Sequence, residues 1–188
     1  MRRIGIAVIG TVSAIVLLVS GTASARVIEM DTFHDVFSDR VTRFCDVGGF
    51  TADLDFTVDG RFMVKSRGPD QLAYYQEHVK VTQVITRVAT GESVTEVDTV
   101  MTKDQRVTNN GDGTLTLLVL ATGNAVVYGP NGKAIARNPG QIRFKLLLDH
   151  GGTPRDPSDD EFLEFLGIVK DSTGRTDDFC AAIVQAIG

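Results

Sequence analysis

QIRFKLLLD, residues 141–149, is the stretch whose reading decides the fold. Ile142, Phe144, Leu146 and Leu148 alternate with Gln141, Arg143, Lys145 and Asp149, and only Leu147 interrupts the order. A period of two sends successive side chains to opposite faces of an extended chain, so one face is apolar and the other wet, as in an antiparallel sheet with one buried face. Working outward, the same grammar runs from Val27 to Val169: short runs of Val, Ile, Thr, Phe and Tyr, separated by Gly, Asn and Asp.

The separators predict where the chain reverses. Asp59-Gly60 stands between residues 56–58 and 61–64, and Asn131-Gly132 between 125–128 and 135–136. Such pairs accept the positive φ of a tight hairpin turn. Asn110-Gly111-Asp112-Gly113 and Thr122-Gly123-Asn124 are read as two further reversals, on either side of the apolar run 115–121. Residues 72–88 contain no Gly or Pro, so a helix must be considered there. Val and Thr dominate the second half, however, and β-branched side chains favour a pleated surface. Run 93–102 is of the same kind, which makes 89–92 the link between two strands. Residues 151–161 form the longest loop, ahead of a strand at 162–169. At the C-terminus, Thr176 is read as a helix cap, with Asp177 and Asp178 in the first turn and Phe179, Ala182, Ile183 and Ala186 at helical spacing.

The count is about eight strands, whose edges must be hidden. The expected fold is therefore all-β: an antiparallel up-and-down β-barrel of about eight strands, with a β-sandwich as the alternative and a short C-terminal α-helix. Residues 1–25 are set aside as a signal peptide, because Arg2 and Arg3 precede an apolar run over 4–19 and the small residues Ala23-Ser24-Ala25. That run is short of the roughly 20 apolar residues a spanning helix needs, so no membrane span is expected after cleavage. Cleavage after Ala25 leaves one domain, 26–188, and takes the net charge from −5 to −7. An acidic chain without a basic stripe excludes a nucleic-acid binder, which needs clustered Lys and Arg for phosphates. Secretion into an oxidising compartment pairs the two cysteines, Cys45 and Cys180, in one disulfide that ties the terminal helix to the first third of the chain.

In length and strand order the chain resembles the lipocalin-like barrels and the allene oxide cyclase and dirigent-like barrels, although the lipocalin Gly-x-Trp motif is absent. Phe44-Cys45, the stretch 59–64 and Asp178-Phe179-Cys180 resemble a group of uncharacterised secreted bacterial proteins, a likeness that implies no activity.

No GxSxG, Walker or dinucleotide motif occurs. His34, His78 and His150 lie on unrelated segments without metal-ligand spacing, so no cofactor is expected. Asp31 and His34 belong to opposite faces of a strand and pair only across a bend. On the strand at 72–88, one alternation groups Tyr75, Glu77, Val79 and Val81, and the other Tyr74, Gln76, His78 and Lys80. An inward carboxylate with aromatic walls is what a barrel enzyme of the cyclase kind would use. Tyr75, Glu77 and His78 are therefore the catalytic candidates. Asp156, Asp159, Asp160 and Glu161 crowd one loop and are candidate calcium ligands, against the plainer reading that they cap and solvate it. The resulting expectation is a secreted, monomeric, single-disulfide binding or interaction protein, for a small apolar ligand or an extracellular protein. The alternative is an extracellular isomerase or cyclase acting on a small apolar molecule.

Overall fold

A computed structural model describes residues 25–46 and 49–188, so residues 1–24 of the expected signal peptide lie outside it. Seven strands follow one another as neighbours in a single antiparallel meander: β1 (Arg26–Phe44), β2 (Phe50–Arg67), β3 (Leu72–Arg87), β4 (Ser93–Asn109), β5 (Thr114–Tyr128), β6 (Ala134–Asp149) and β7 (Glu161–Lys170). A 3₁₀ turn, Pro157–Asp159, precedes β7, and one helix, α1 (Phe179–Ile187), ends the chain. The all-β class, the strand reading of 72–88 and the terminal helix hold.

Two expected reversals are not turns. Asp59-Gly60 lies in the middle of β2 and Thr122-Gly123-Asn124 in the middle of β5, which reduces the expected eight strands to seven long ones. The reason for a glycine at 60 is cross-strand: Phe33 pairs with Gly60, and the Phe33 ring occupies the space a Cβ would take. Gly123 likewise lies against β4, where an added Cβ would meet the Thr99 carbonyl oxygen at 2.7 Å. A glycine inside a strand thus marks close approach as well as a turn. The reversals at Gly91, at 110–113 and at Asn131-Gly132 form as expected. In the last of these Gly132 takes φ +72° and the Asn131 side chain accepts from the Lys133 amide.

Among the described residues β1 and β7 do not pair, so the sheet is not closed into a barrel. One face of the sheet, the inner face, carries the core. The register groups on that face Leu54, Ile85 and Val94, and also Val127 with Ala136. Ile183 and Ile187 of α1 are buried against these side chains. The inner face of β1 is different: Asp31, Asp35 and Asp39 pair with Phe62, Val58 and Leu54 and stay exposed. Closing a seam over that row would strip unpaired carboxylates of water, at a cost of several kcal/mol each.

The helix begins one residue pair later than expected. Asp178, not Thr176, is the N-cap, accepting from the Ala181 amide at 2.9 Å, and Asp177 instead bridges to β6 through the Arg137 amide. The segment before it shields the free edge of β6: Gly174 lies against the Pro139 carbonyl so closely that no Cβ fits. Cys45, directly after β1, bonds Cys180 in the first turn of α1, with Cα atoms 5.4 Å apart and 135 residues of separation. At the other helix end Arg87 donates to the Ile187 carbonyl at 3.2 Å while lying over the Phe50 ring.

Cys45→Ser or Cys180→Ser is expected to lower the melting temperature, with a stability loss approaching about 4–5 kcal/mol if the unfolded chain regains the full loop freedom. Reductant should do the same to the wild type. A thiol titration of the unreduced protein should find none, and two thiols would contradict the bond. Gly60→Val should cost about 1–3 kcal/mol by overpacking, and Phe33→Ala introduced beside it should recover part of that loss. Thermal melts of the single and double variants read the coupling.

Candidate functional site

The inner face is filled at one end by α1, and the space it leaves lies toward the other end. There, side chains from five strands and the loop before β7 wall a cavity of ≈ 270 Å³. Its apolar wall includes Val64, Leu117, Val119, Phe144 and Leu146, and its polar groups are Tyr75, Thr102, Asp104 and Asp160. The alternation places these: Tyr75 pairs with Val64 on the inner face, and Val119 pairs with both Asp104 and Phe144. A register shift between Asp104 and Arg106 re-aims β4 at this point, as bulges do beside functional sites.

Asp104 is 93% buried, since only 7% of its surface is exposed, and one carboxylate oxygen accepts from the Tyr75 amide at 2.7 Å. Burial pushes its carboxyl up to about 6, against the lowering effects of that amide and of Arg67. Tyr75 is pushed up to about 12, first by burial and then by its hydrogen bond to Glu77. Its ring stacks near Phe62 with centroids 6.0 Å apart. Asp160 is raised by burial and by Asp159, and its Oδ1 is buried without a hydrogen-bond partner. Burial thus makes both carboxyls of the cavity hold their protons to higher pH than usual.

The catalytic candidates are only partly brought together. Tyr75 and Glu77 share the inner face as one alternation requires. His78 is on the other face, opposite Arg61 and Met101. It lines a larger groove of ≈ 520 Å³ that Glu77 also lines, together with Met30, Asp31, Arg61, Phe62 and Gln76. That groove draws on three neighbouring strands, β1, β2 and β3, whereas the smaller inner cavity draws on five strands and a loop and has the more apolar lining. His34 bonds Asp59 across β1 and β2 at 2.7 Å, not Asp31. His150 is buried in the β6 to β7 loop, 3.2 Å from the Gly152 amide.

The acidic loop is consumed by its own geometry. Asp156 caps the 3₁₀ turn through Ser158, and Asp159 accepts from the Thr153 hydroxyl at 2.6 Å. Glu161 opens β7 and pairs with Asp149. Among the described residues no group of three or more His, Cys, Asp or Glu side chains converges as metal ligands. Asp104, the most perturbed carboxyl, was not legible in the sequence. It sits in the polar run Lys103-Asp104-Gln105-Arg106, which reads as a wet strand end, although Asp104 keeps the alternation that turns Val94 and Thr102 inward and the register shift comes only after it.

Compared with known proteins, the chain matches no family model, no curated protein and no solved structure.

Asp104 makes stability depend on pH with a definite sign. A carboxyl raised in the folded state from 3.8 to about 6 contributes most below pH 4, and that contribution is lost as pH rises through about 6. Asp104→Asn keeps an acceptor for the Tyr75 amide but removes the titration. The variant is expected to gain stability relative to wild type between pH 4 and pH 7.5, by at most roughly 3 kcal/mol. Melts of both proteins at the two pH values test this, and parallel changes would contradict a buried carboxyl.

Proposed function

We propose that this chain is an exported binding protein that holds a small apolar molecule in the inner cavity between Tyr75, Asp104 and Asp160. The observation that carries the reading is the cavity itself: a largely apolar wall with few polar groups converging on it, as in small-molecule sites. Its ≈ 270 Å³ lies just below the range of about 300–1,000 Å³ for larger ligands, so the occupant is small. Export is supported by the charged and apolar leader with its small-residue end and by the disulfide, which persists in oxidising compartments. No helix among the described residues is long and apolar enough to cross a membrane.

A barrel-like curl suits this function better than a sandwich. Flat, five strands about 4.8 Å apart would spread over about 19 Å, too wide to wall one cavity of this size. The lining drawn from β2, β3, β4, β5 and β6 therefore needs the sheet to bend around it. The rival reading is an extracellular isomerase or cyclase, and its support is that Tyr75 and Glu77 face inward together. Of its three groups only Tyr75 lines the inner cavity, while Glu77 and His78 line the groove over β1 to β3, which favours binding without chemistry.

A bulky substitution inside the cavity tests the proposal. Ala73 lines it and is small, so Ala73→Phe should abolish binding of a neutral apolar fluorescent probe such as N-phenyl-1-naphthylamine. The far-ultraviolet circular dichroism and the absence of free thiols should stay as in wild type. Native mass spectrometry of protein taken from culture medium should show a bound small molecule lost in the same variant. Probe binding that survives the substitution would overturn the cavity as the site.

A further inference from the structure

We infer that the ligand of the inner cavity carries a single protonated amine on an apolar body, with the ammonium seated between Asp104 and Asp160. This rests on the binding reading above and adds the chemical class of the ligand. The cavity supplies acceptors and no cation: two carboxyls and a phenol stand among aliphatic walls, and no Lys, Arg or His lines it. Asp104 is 93% buried and accepts from the Tyr75 amide through one carboxylate oxygen, while Asp160 has a buried oxygen with no hydrogen-bond partner. Buried acceptors left unpaired are costly. A ligand that donates several hydrogen bonds and a positive charge at that point satisfies both, and an ammonium has three N–H donors. The Tyr75 ring adds a π-face to which a cation is attracted.

The electrostatics of the sheet agree. Glu29, Asp31, Asp35, Asp39 and Glu77 register to the inner face, whereas Arg61, Lys65 and Lys80 register to the outer. Arg26 and Arg87 also register to the inner face and Asp53, Asp55 and Asp59 to the outer, and the acidic excess that remains on the inner face of β1 to β3 draws cations toward the cavity. The groups facing Asp104 are Tyr75 from β3, Val119 from β5 and Asp160 from the loop. Arg67 acts from β2, outside the lining and over the Tyr74 ring at 5.1 Å. An anionic ligand would meet Asp104 and Asp160 without a compensating cation in the lining.

The test is calorimetric titration of the disulfide-intact protein with hexylamine, hexanol and hexanoic acid at pH 7.5. Hexylamine should bind at least ten-fold more tightly than hexanol, and hexanoic acid should not bind. The amine advantage should shrink below pH 5, where Asp104 takes up its proton. Asp104→Asn should bring hexylamine and hexanol within about three-fold of each other, and Asp160→Asn should move them the same way should the first variant fail to fold. Hexanol or hexanoate binding as tightly as hexylamine would overturn the amine while leaving the cavity as the site. Failure of all three to bind would overturn the cavity reading and the amine with it.

Discussion

A single sheet has two faces, and this one has only a nine-residue helix to cover its core, so the contact between α1 and the inner face is the constraint on which the rest depends. Ile183 and Ile187 bury fully against Leu54, Ile85, Val94 and Val127. A helix this short is marginal alone, because most helical stability comes from tertiary packing. The chain supplies three local devices to hold it: the Cys45–Cys180 bond and the Asp178 cap at its start, and the Arg87 donor at its end. The disulfide and Arg87 tie α1 to the end of the sheet where β1 finishes and β2 begins, and the cap satisfies the helix's own first turn.

That one-sided clamp explains where the cavity is. The helix fills the inner face at one end, and a second small cluster of Leu72, Val107 and Leu115 forms away from it. The space beside that cluster is walled by large aliphatic side chains of β5 and β6, and it takes in the Asp104 carboxyl because Asp104 shares the inner face with Thr102. Structural necessity at one end and vacancy at the other are thus two outcomes of the same incomplete second layer. The unpaired edges follow as well. β1 keeps its acidic row in water, and β7 leaves Phe162, Phe165 and Ile168 more than half exposed.

Much of this was legible in the residues. The alternation at 141–149, the β-branched run at 72–88 and the cysteine pair lead directly to strands, register face and disulfide, because each rests on a local period or on redox chemistry. What misled was glycine. Gly60 and Gly123 are chosen for close approach across strands, a relation between residues 27 and 24 positions apart that no local pattern records. The grouping of Tyr75 with Glu77 follows from a period of two, but which face looks inward depends on α1. Asp104 faces inward by the same alternation as Val94 and Thr102, inside a run polar enough to read as wet, and the register shift that follows it changes the face only of the residues after it.

Hydrogen exchange measured by mass spectrometry on the oxidised and the reduced protein tests most directly whether α1 is the second layer that the sheet depends on. The account predicts that reduction strips protection from α1 and from the strand ends it covers, around Ala52, Ile85, Val94 and Val127, before the segments around Leu72 and Leu115 change. Protection of α1 that is unchanged by reduction, or lost first around Leu72 and Leu115, would contradict it.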